Sequence, residues 1–109
     1  MTSKTKKEEL KMDLTGINFS EFKNKKILIT GGSTGIGAEL AKAFAKQGAI
    51  LGLHYLSSEG AAKQVASEIL SEGGSVELIR ADASDSNALA TAVNEAADRL
   101  GGLNGLINN

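Results

Sequence analysis

From position 26 onward, short apolar runs alternate with longer amphipathic segments. Ile27-Leu28-Ile29 is continuously apolar, as a strand is when a parallel sheet is covered on both faces. Ile36, Leu40 and Phe44 then recur at four-residue spacing with Ala41 and Ala45 beside them. That stripe predicts a helix over 36–47, ended by Gly48. Residues 50–55 read as a second strand. Ser57 or Ser58 is placed to cap a second helix, in which Ala62, Val65, Ala66, Ile69 and Leu70 share one face until Gly73 and Gly74 stop it. A third strand follows over 76–80. Ser84 or Asp85 is placed to cap a third helix whose stripe is Leu89, Ala92, Val93, Ala96 and Leu100, closed by Gly101 and Gly102. Residues 103–109 read as a fourth strand.

The resulting order, β-α-β-α-β-α-β, implies an α/β fold with a doubly wound parallel sheet. Right-handed crossovers give the strand order 3-2-1-4. Residues 1–24 lie outside this rhythm: they are polar and Lys-rich with scattered apolar positions, the composition of an N-terminal arm. Residues 25–109 form the regular part. No helix pattern follows the fourth strand, so the expectation is a sheet that is incomplete at Asn109.

Composition narrows the function. At 109 residues, 41% hydrophobic and 23% charged, the chain has the make-up of one globular domain. Twelve Lys and Arg against thirteen Asp and Glu leave a net charge of −1, so no strong field draws it to nucleic acid or an anionic membrane. It has no Cys and a single histidine, His54, which removes thiol chemistry and makes a zinc site untenable. The Lys residues near the N-terminus are followed by Glu8 and Glu9, where a signal peptide needs an apolar stretch. No segment is apolar for long enough to span a bilayer. These features point to a soluble, cytoplasmic protein.

The chemistry is concentrated in Thr30-Gly31-Gly32-Ser33-Thr34-Gly35-Ile36-Gly37, between the first strand and the first helix. An α/β sheet opens its ligand crevice at such a junction. Glycines let the backbone approach a pyrophosphate closely, and the free amides of the helix start favour negative charge. The phosphate loop of ATPases and GTPases has the spacing of Gly32 and Gly37 but requires Lys-Ser/Thr next, where this chain has Ala38-Glu39. The Gly-x-Gly-x-x-Gly fingerprint is absent too.

What remains, Thr-Gly-x3-Gly-x-Gly, resembles the cofactor turn of the short-chain dehydrogenases and reductases, a family of NAD(P)-dependent oxidoreductases with a Rossmann-like fold. Asp82, after the third strand, resembles the family residue that hydrogen-bonds the adenine, and Leu106-Ile107-Asn108-Asn109 resembles the start of the family's Asn-Asn-Ala-Gly motif. The resemblance runs from about Lys25 to the end. It implies the cofactor-binding half of such a protein, with the chain ending inside that last motif. It further implies cofactor contacts at Gly31, Ser33, Thr34, Gly35, Ile36, Gly37, Tyr55, Ser57, Asp82, Ala83, Asn108 and Asn109.

The end of the second strand is where an acidic residue pairs with the ribose hydroxyls of NAD. Tyr55 stands there, so NADP is the expected cofactor, with NAD possible, and Ser57 and Ser58 are placed to meet a 2′-phosphate. Thr34 and Leu56, by contrast, add no positive charge.

The family's catalytic Tyr-x-x-x-Lys has no counterpart: the only tyrosine is Tyr55, and Glu59 stands four residues on. No residue of this chain is expected to be catalytic, and none to bind a metal. The intact protein is expected to move a hydride between NADP(H) and a carbonyl or alcohol substrate, and to form homo-oligomers. A non-catalytic nucleotide-binding or regulatory module is the alternative. His54, in the second strand, reads as structural.

Overall fold

The computed structural model describes residues 19–81 and 87–109. After a single 3-10 turn at Phe19–Phe22, the elements are β1 (Lys26–Thr30), α1 (Gly35–Lys46), β2 (Ile50–Tyr55), α2 (Glu59–Ser71), β3 (Ser75–Arg80), α3 (Ala88–Leu100) and β4 (Gly105–Asn108). The four strands form one parallel sheet in the order β3-β2-β1-β4, as the sequence pattern predicts.

Alternation along the central strands explains the two-sided core, because successive side chains point to opposite faces. Ile27, Ile29, Leu51 and Leu53 pack with Ala38, Ala41 and Phe44 of α1 and Val65 and Ile69 of α2. Leu28, Ile79 and Ala81 pack on the other face against Ala92 and Ala96 of α3. The alanines bring α3 close to the sheet. A methyl placed on Gly52 at this face would sit 3.3 Å from Leu28 Cδ1 and 3.5 Å from Ala96 Cβ.

Several local expectations are corrected. Leu70 and Leu89, assigned to buried stripes, are 56% and 45% exposed. In α2 the contact is made by Ala62, Val65, Ala66 and Ile69, a narrower stripe than the full run of apolar residues. In α3 it is made by Ala92 and Ala96, whose short side chains set a close approach. Ser58 occupies the N-cap position of α2, but its side chain makes no capping hydrogen bond. Its carbonyl accepts from Ala62 N at 2.9 Å instead. The expected caps Ser84 and Asp85 lie outside the described residues.

The fourth strand is shorter than expected, because Leu103 packs against the α3 cluster and Asn104 turns the chain into register. Asn104 Oδ1 accepts from Lys26 N at 2.8 Å, and its own N–H donates to Lys26 O at 2.7 Å. That clamp starts the β1–β4 pairing, which ends with Thr30 opposite Asn108. The carboxyl ends of the strands thereby bring 30–37, His54 and 108–109 together.

Candidate dinucleotide-binding site

The turn after β1 is held by side chains from the strands on either side of it. Gly31 has φ +59°, a left-handed conformation that glycine adopts without Cβ strain. Its N–H donates to His54 Nδ1 at 3.3 Å, from β2. Its carbonyl accepts from Asn109 Nδ2 at 3.1 Å, just past β4. The next amide, Gly32 N, donates to the carbonyl of His54 at 3.0 Å.

Thr30 is the second anchor. Its side chain is buried, its hydroxyl lies 2.8 Å from Asn108 Oδ1, to which it donates, and it accepts from Asn109 N at 3.0 Å. Asn108 and Asn109 thus lock the end of β4 onto the end of β1.

The first turn of α1 completes the cradle. Gly37 is buried, and a Cβ there would collide with the Gly31 carbonyl and stand 2.6 Å from Asn109 Nδ2. Only a residue without a side chain lets the helix sit this close to the turn. Gly35 is the opposite case: it is exposed, at φ +57°, and a Cβ there would have nothing within 4 Å. The backbone at the mouth of the turn is therefore open to a ligand. The early amides of a helix have no intrahelical partner, and with the positive end of the dipole they form an anion site. The turn thus has a close-packed rear at Gly37 and an open front at Gly35. Ser33 is buried, Ile36 half-buried and Thr34 exposed.

A groove of about 800 Å³ runs from this turn between α1 and α2, with Ser33, Thr34, Gly35, Lys42, Gln64 and Glu68 among its walls. Lys42 lies 2.6 Å from Glu68 and 3.8 Å from Glu39. The hydrogen bond to Glu68 raises the Lys42 pKa above its ordinary value and lowers that of Glu68.

Tyr55 is only 7% exposed, and its hydroxyl donates to Glu59 Oε1 at 3.4 Å. Glu59 also pairs with Lys63 at 3.4 Å. Ser57 and Ser58 are exposed at the end of β2. Asp82 and Ala83 lie outside the described residues. No group of three or more candidate metal ligands occurs among the described residues, and no helix among them is long and apolar enough to cross a membrane.

A sequence model described as short chain dehydrogenase matches residues 25–109. The chain belongs to the short-chain dehydrogenase family. An oxidoreductase of Methylorubrum extorquens is 38% identical over 90 residues, which are 83% of this chain and 36% of the relative. The crystal structure of a dehydrogenase/reductase from Sinorhizobium meliloti superposes with a TM-score of 0.77 at 40% identity, covering 84% of this chain and 37% of that one. A short chain dehydrogenase from Burkholderia cenocepacia, solved in complex with NADP, superposes with a TM-score of 0.75 at 40% identity over 81% of this chain and 36% of that one. The chain thus spans about a third of the length of the curated relatives it matches.

Membership in the short-chain dehydrogenases implies an NAD(P) cofactor, and the part of the family pattern found here is its NAD(P)-binding region. The role of Thr30, which opens the motif, and the contribution of His54, outside it, escape a reading of the motif alone. Thr30 is the hydrogen-bonding hub of the site, and His54 grips two successive amides. The signal for both was positional: each ends or nearly ends a strand flanking the crevice, where its side chain meets the turn and not the core.

Proposed function

We propose that this chain is the cofactor-binding portion of an NADP-dependent oxidoreductase that interconverts a carbonyl and an alcohol. The observation that carries this reading is the pairing of a closed rear at Gly37 with an open front at Gly35. In it, Gly31, Ser33, Thr34, Gly35, Ile36 and Gly37 supply backbone and hydroxyl groups around the pyrophosphate. Asn108 and Asn109 brace the turn from β4, and Asp82 and Ala83 take the adenine side. When bound, the nicotinamide gives or receives the hydride. Residues of this chain bind and orient the dinucleotide; no Tyr-x-x-x-Lys pair is present in 1–109 to move the proton. Residues 25–109 act as one unit of the dinucleotide fold. The intact protein is a cytoplasmic homo-oligomer.

Preference for NADP over NAD rests on the end of β2. A carboxylate there would bind the ribose hydroxyls of NAD and repel the 2′-phosphate of NADP. Tyr55 places no charge at that position, and Ser57 and Ser58 offer exposed hydroxyls. Among the described residues, the carboxylate that reaches Tyr55 is that of Glu59, and it is engaged with Lys63. Titration of the protein expressed from its complete coding sequence, followed by nicotinamide fluorescence, should give tighter binding of NADPH than of NADH. Tyr55→Asp should move the balance toward NADH by about tenfold, the scale of one unfavourable charge contact. Equal affinities in the wild type, or an NADH preference, would refute the NADP assignment and leave the family unaffected.

A further inference from the structure

His54 is the only histidine in the sequence, and the reaction of a dinucleotide enzyme gives it no evident task at this position. Its contacts are nonetheless specific. Nδ1 accepts the N–H of Gly31 at 3.3 Å, and the carbonyl of the same residue accepts the N–H of Gly32 at 3.0 Å. Gly31 is the residue whose carbonyl is held by Asn109 and packed against Gly37. One residue of β2 therefore fixes two consecutive amides at the root of the turn.

The contact dictates a tautomer. A nitrogen that accepts a hydrogen bond carries no proton, so the neutral ring must bear its hydrogen on Nε2. Nε2 is buried and completes no hydrogen bond among the described residues; the Ala81 backbone near the ring opposes the effect of burial. A second proton on the ring would place an Nδ1–H donor against the N–H of Gly31. Two donors cannot share that distance, so Gly31 would have to move, and with it the surface against which Gly37 packs.

We infer that His54 is a positioning residue for the dinucleotide turn, which holds its binding shape only while the His54 imidazole is neutral. The inference rests on the reading of this turn as the cofactor site.

The surroundings of the ring agree. Burial pushes the His54 pKa below its ordinary value of 6.5. On β1 the neighbouring residues are Thr30 and Gly31, which carry no charge. On β3 the partner in register is Ile79, and Arg80 points to the opposite face by alternation. The first half of α3, 88–94, has no ionisable side chain; Glu95, Asp98 and Arg99 follow toward its far end. Asp82 and Asp85 fall outside the described residues. A histidine whose folded pKa is depressed takes up its proton more readily when unfolded. Its destabilising effect is therefore absent above pH 6.5 and grows as pH falls below that value toward the folded pKa.

The test compares wild type, His54→Asn and His54→Leu in the protein expressed from its complete coding sequence. Asparagine places Oδ1 on Cγ, where histidine carries Nδ1, so it can accept from Gly31 N without titrating; leucine fills the space and accepts nothing. Calorimetric titration with NADP⁺ at pH 8 and pH 5.5, with thermal melts of each variant alongside, separates the cases. The 2′-phosphate itself titrates near pH 6, but its effect is common to all three proteins and cancels in their ratios. Wild type and His54→Asn should bind within about threefold of each other at pH 8 and diverge at pH 5.5, wild type being weaker, by less than the about tenfold that an imidazole titrating at its ordinary value would give. His54→Leu, if folded, should be weak at both. Nitrogen NMR without cofactor should show one imidazole signal lost in His54→Asn, protonated on Nε2 at neutral pH. Parallel pH responses in wild type and His54→Asn, or protonation on Nδ1, overturn the inference. No binding of either dinucleotide by wild type at any pH, with the NMR signature present, instead overturns the cofactor reading beneath it.

Discussion

Thr30 shows how much a single hydroxyl organises at the end of β1. It meets the side chain of Asn108 and the backbone of Asn109, and it is buried. Removing it leaves the Asn109 N–H without its partner in a place where water replaces it poorly. Thr30→Val, which keeps shape and volume, should lower stability by about 1–3 kcal/mol, the usual cost of stranding buried polar groups. It should also weaken dinucleotide binding, because Asn109 would no longer be held against the Gly31 carbonyl. Chemical denaturation and a cofactor titration on the same variant check both parts; unchanged binding would detach Thr30 from the site. At this scale the motif glycines were legible in the sequence, because Gly31 takes a left-handed φ that glycine adopts most readily and Gly37 sits where a Cβ would collide. The part played by His54, and by Thr30 as more than the opening of the motif, was not. Their roles depend on which strands become neighbours, and the motif spacing carries no record of that.

At the scale of elements, hydrophobic periodicity located all four strands and all three helices, and a parallel sheet in which β1 and β2 lie inside follows from their order. Boundaries and faces were less legible. Leu70 and Leu89 continue the apolar stripes in sequence but stand exposed, since the packed width of a helix is set by its partner and not by its own composition. Asn104 was hidden for the same reason: its value lies in meeting Lys26, 78 residues earlier. That clamp is solvent-accessible and lies at the opposite end of β1 from Thr30, about 13 Å away at the rise of a strand. Asn104→Ala should therefore cost only about 0.5–1 kcal/mol, the net value of an exposed hydrogen bond, and leave dinucleotide affinity unchanged. Paired melting and titration curves for Asn104→Ala and Thr30→Val would show whether the two ends of β1 divide stability from binding in this way. A large loss of affinity in Asn104→Ala would contradict that division.

As a whole molecule, residues 19–81 and 87–109 present a sheet with β4 at one edge, Leu106 on that strand being 43% exposed. An open strand edge with apolar side chains invites pairing with another chain. The 109-residue chain produced alone should accordingly self-associate on size-exclusion chromatography. It should also show no oxidation of NADPH over a panel of aldehydes and ketones, because a proton donor placed beside the nicotinamide is needed and the family pair is not in this sequence. Sustained turnover by a sharply melting monomer would contradict both expectations. If the turn between β1 and α1 binds the dinucleotide, binding depends on Gly37. Its missing side chain is the condition for α1 to approach the Gly31 carbonyl, and the site lies where α1 begins. The measurement is calorimetric titration of NADP⁺ into wild type and Gly37→Val, made from the complete coding sequence, with circular dichroism confirming that both are folded. Wild type should bind at one site per chain, and a folded Gly37→Val should lose affinity by about a hundredfold or more; undiminished binding by that folded variant would rule out this turn as the dinucleotide site.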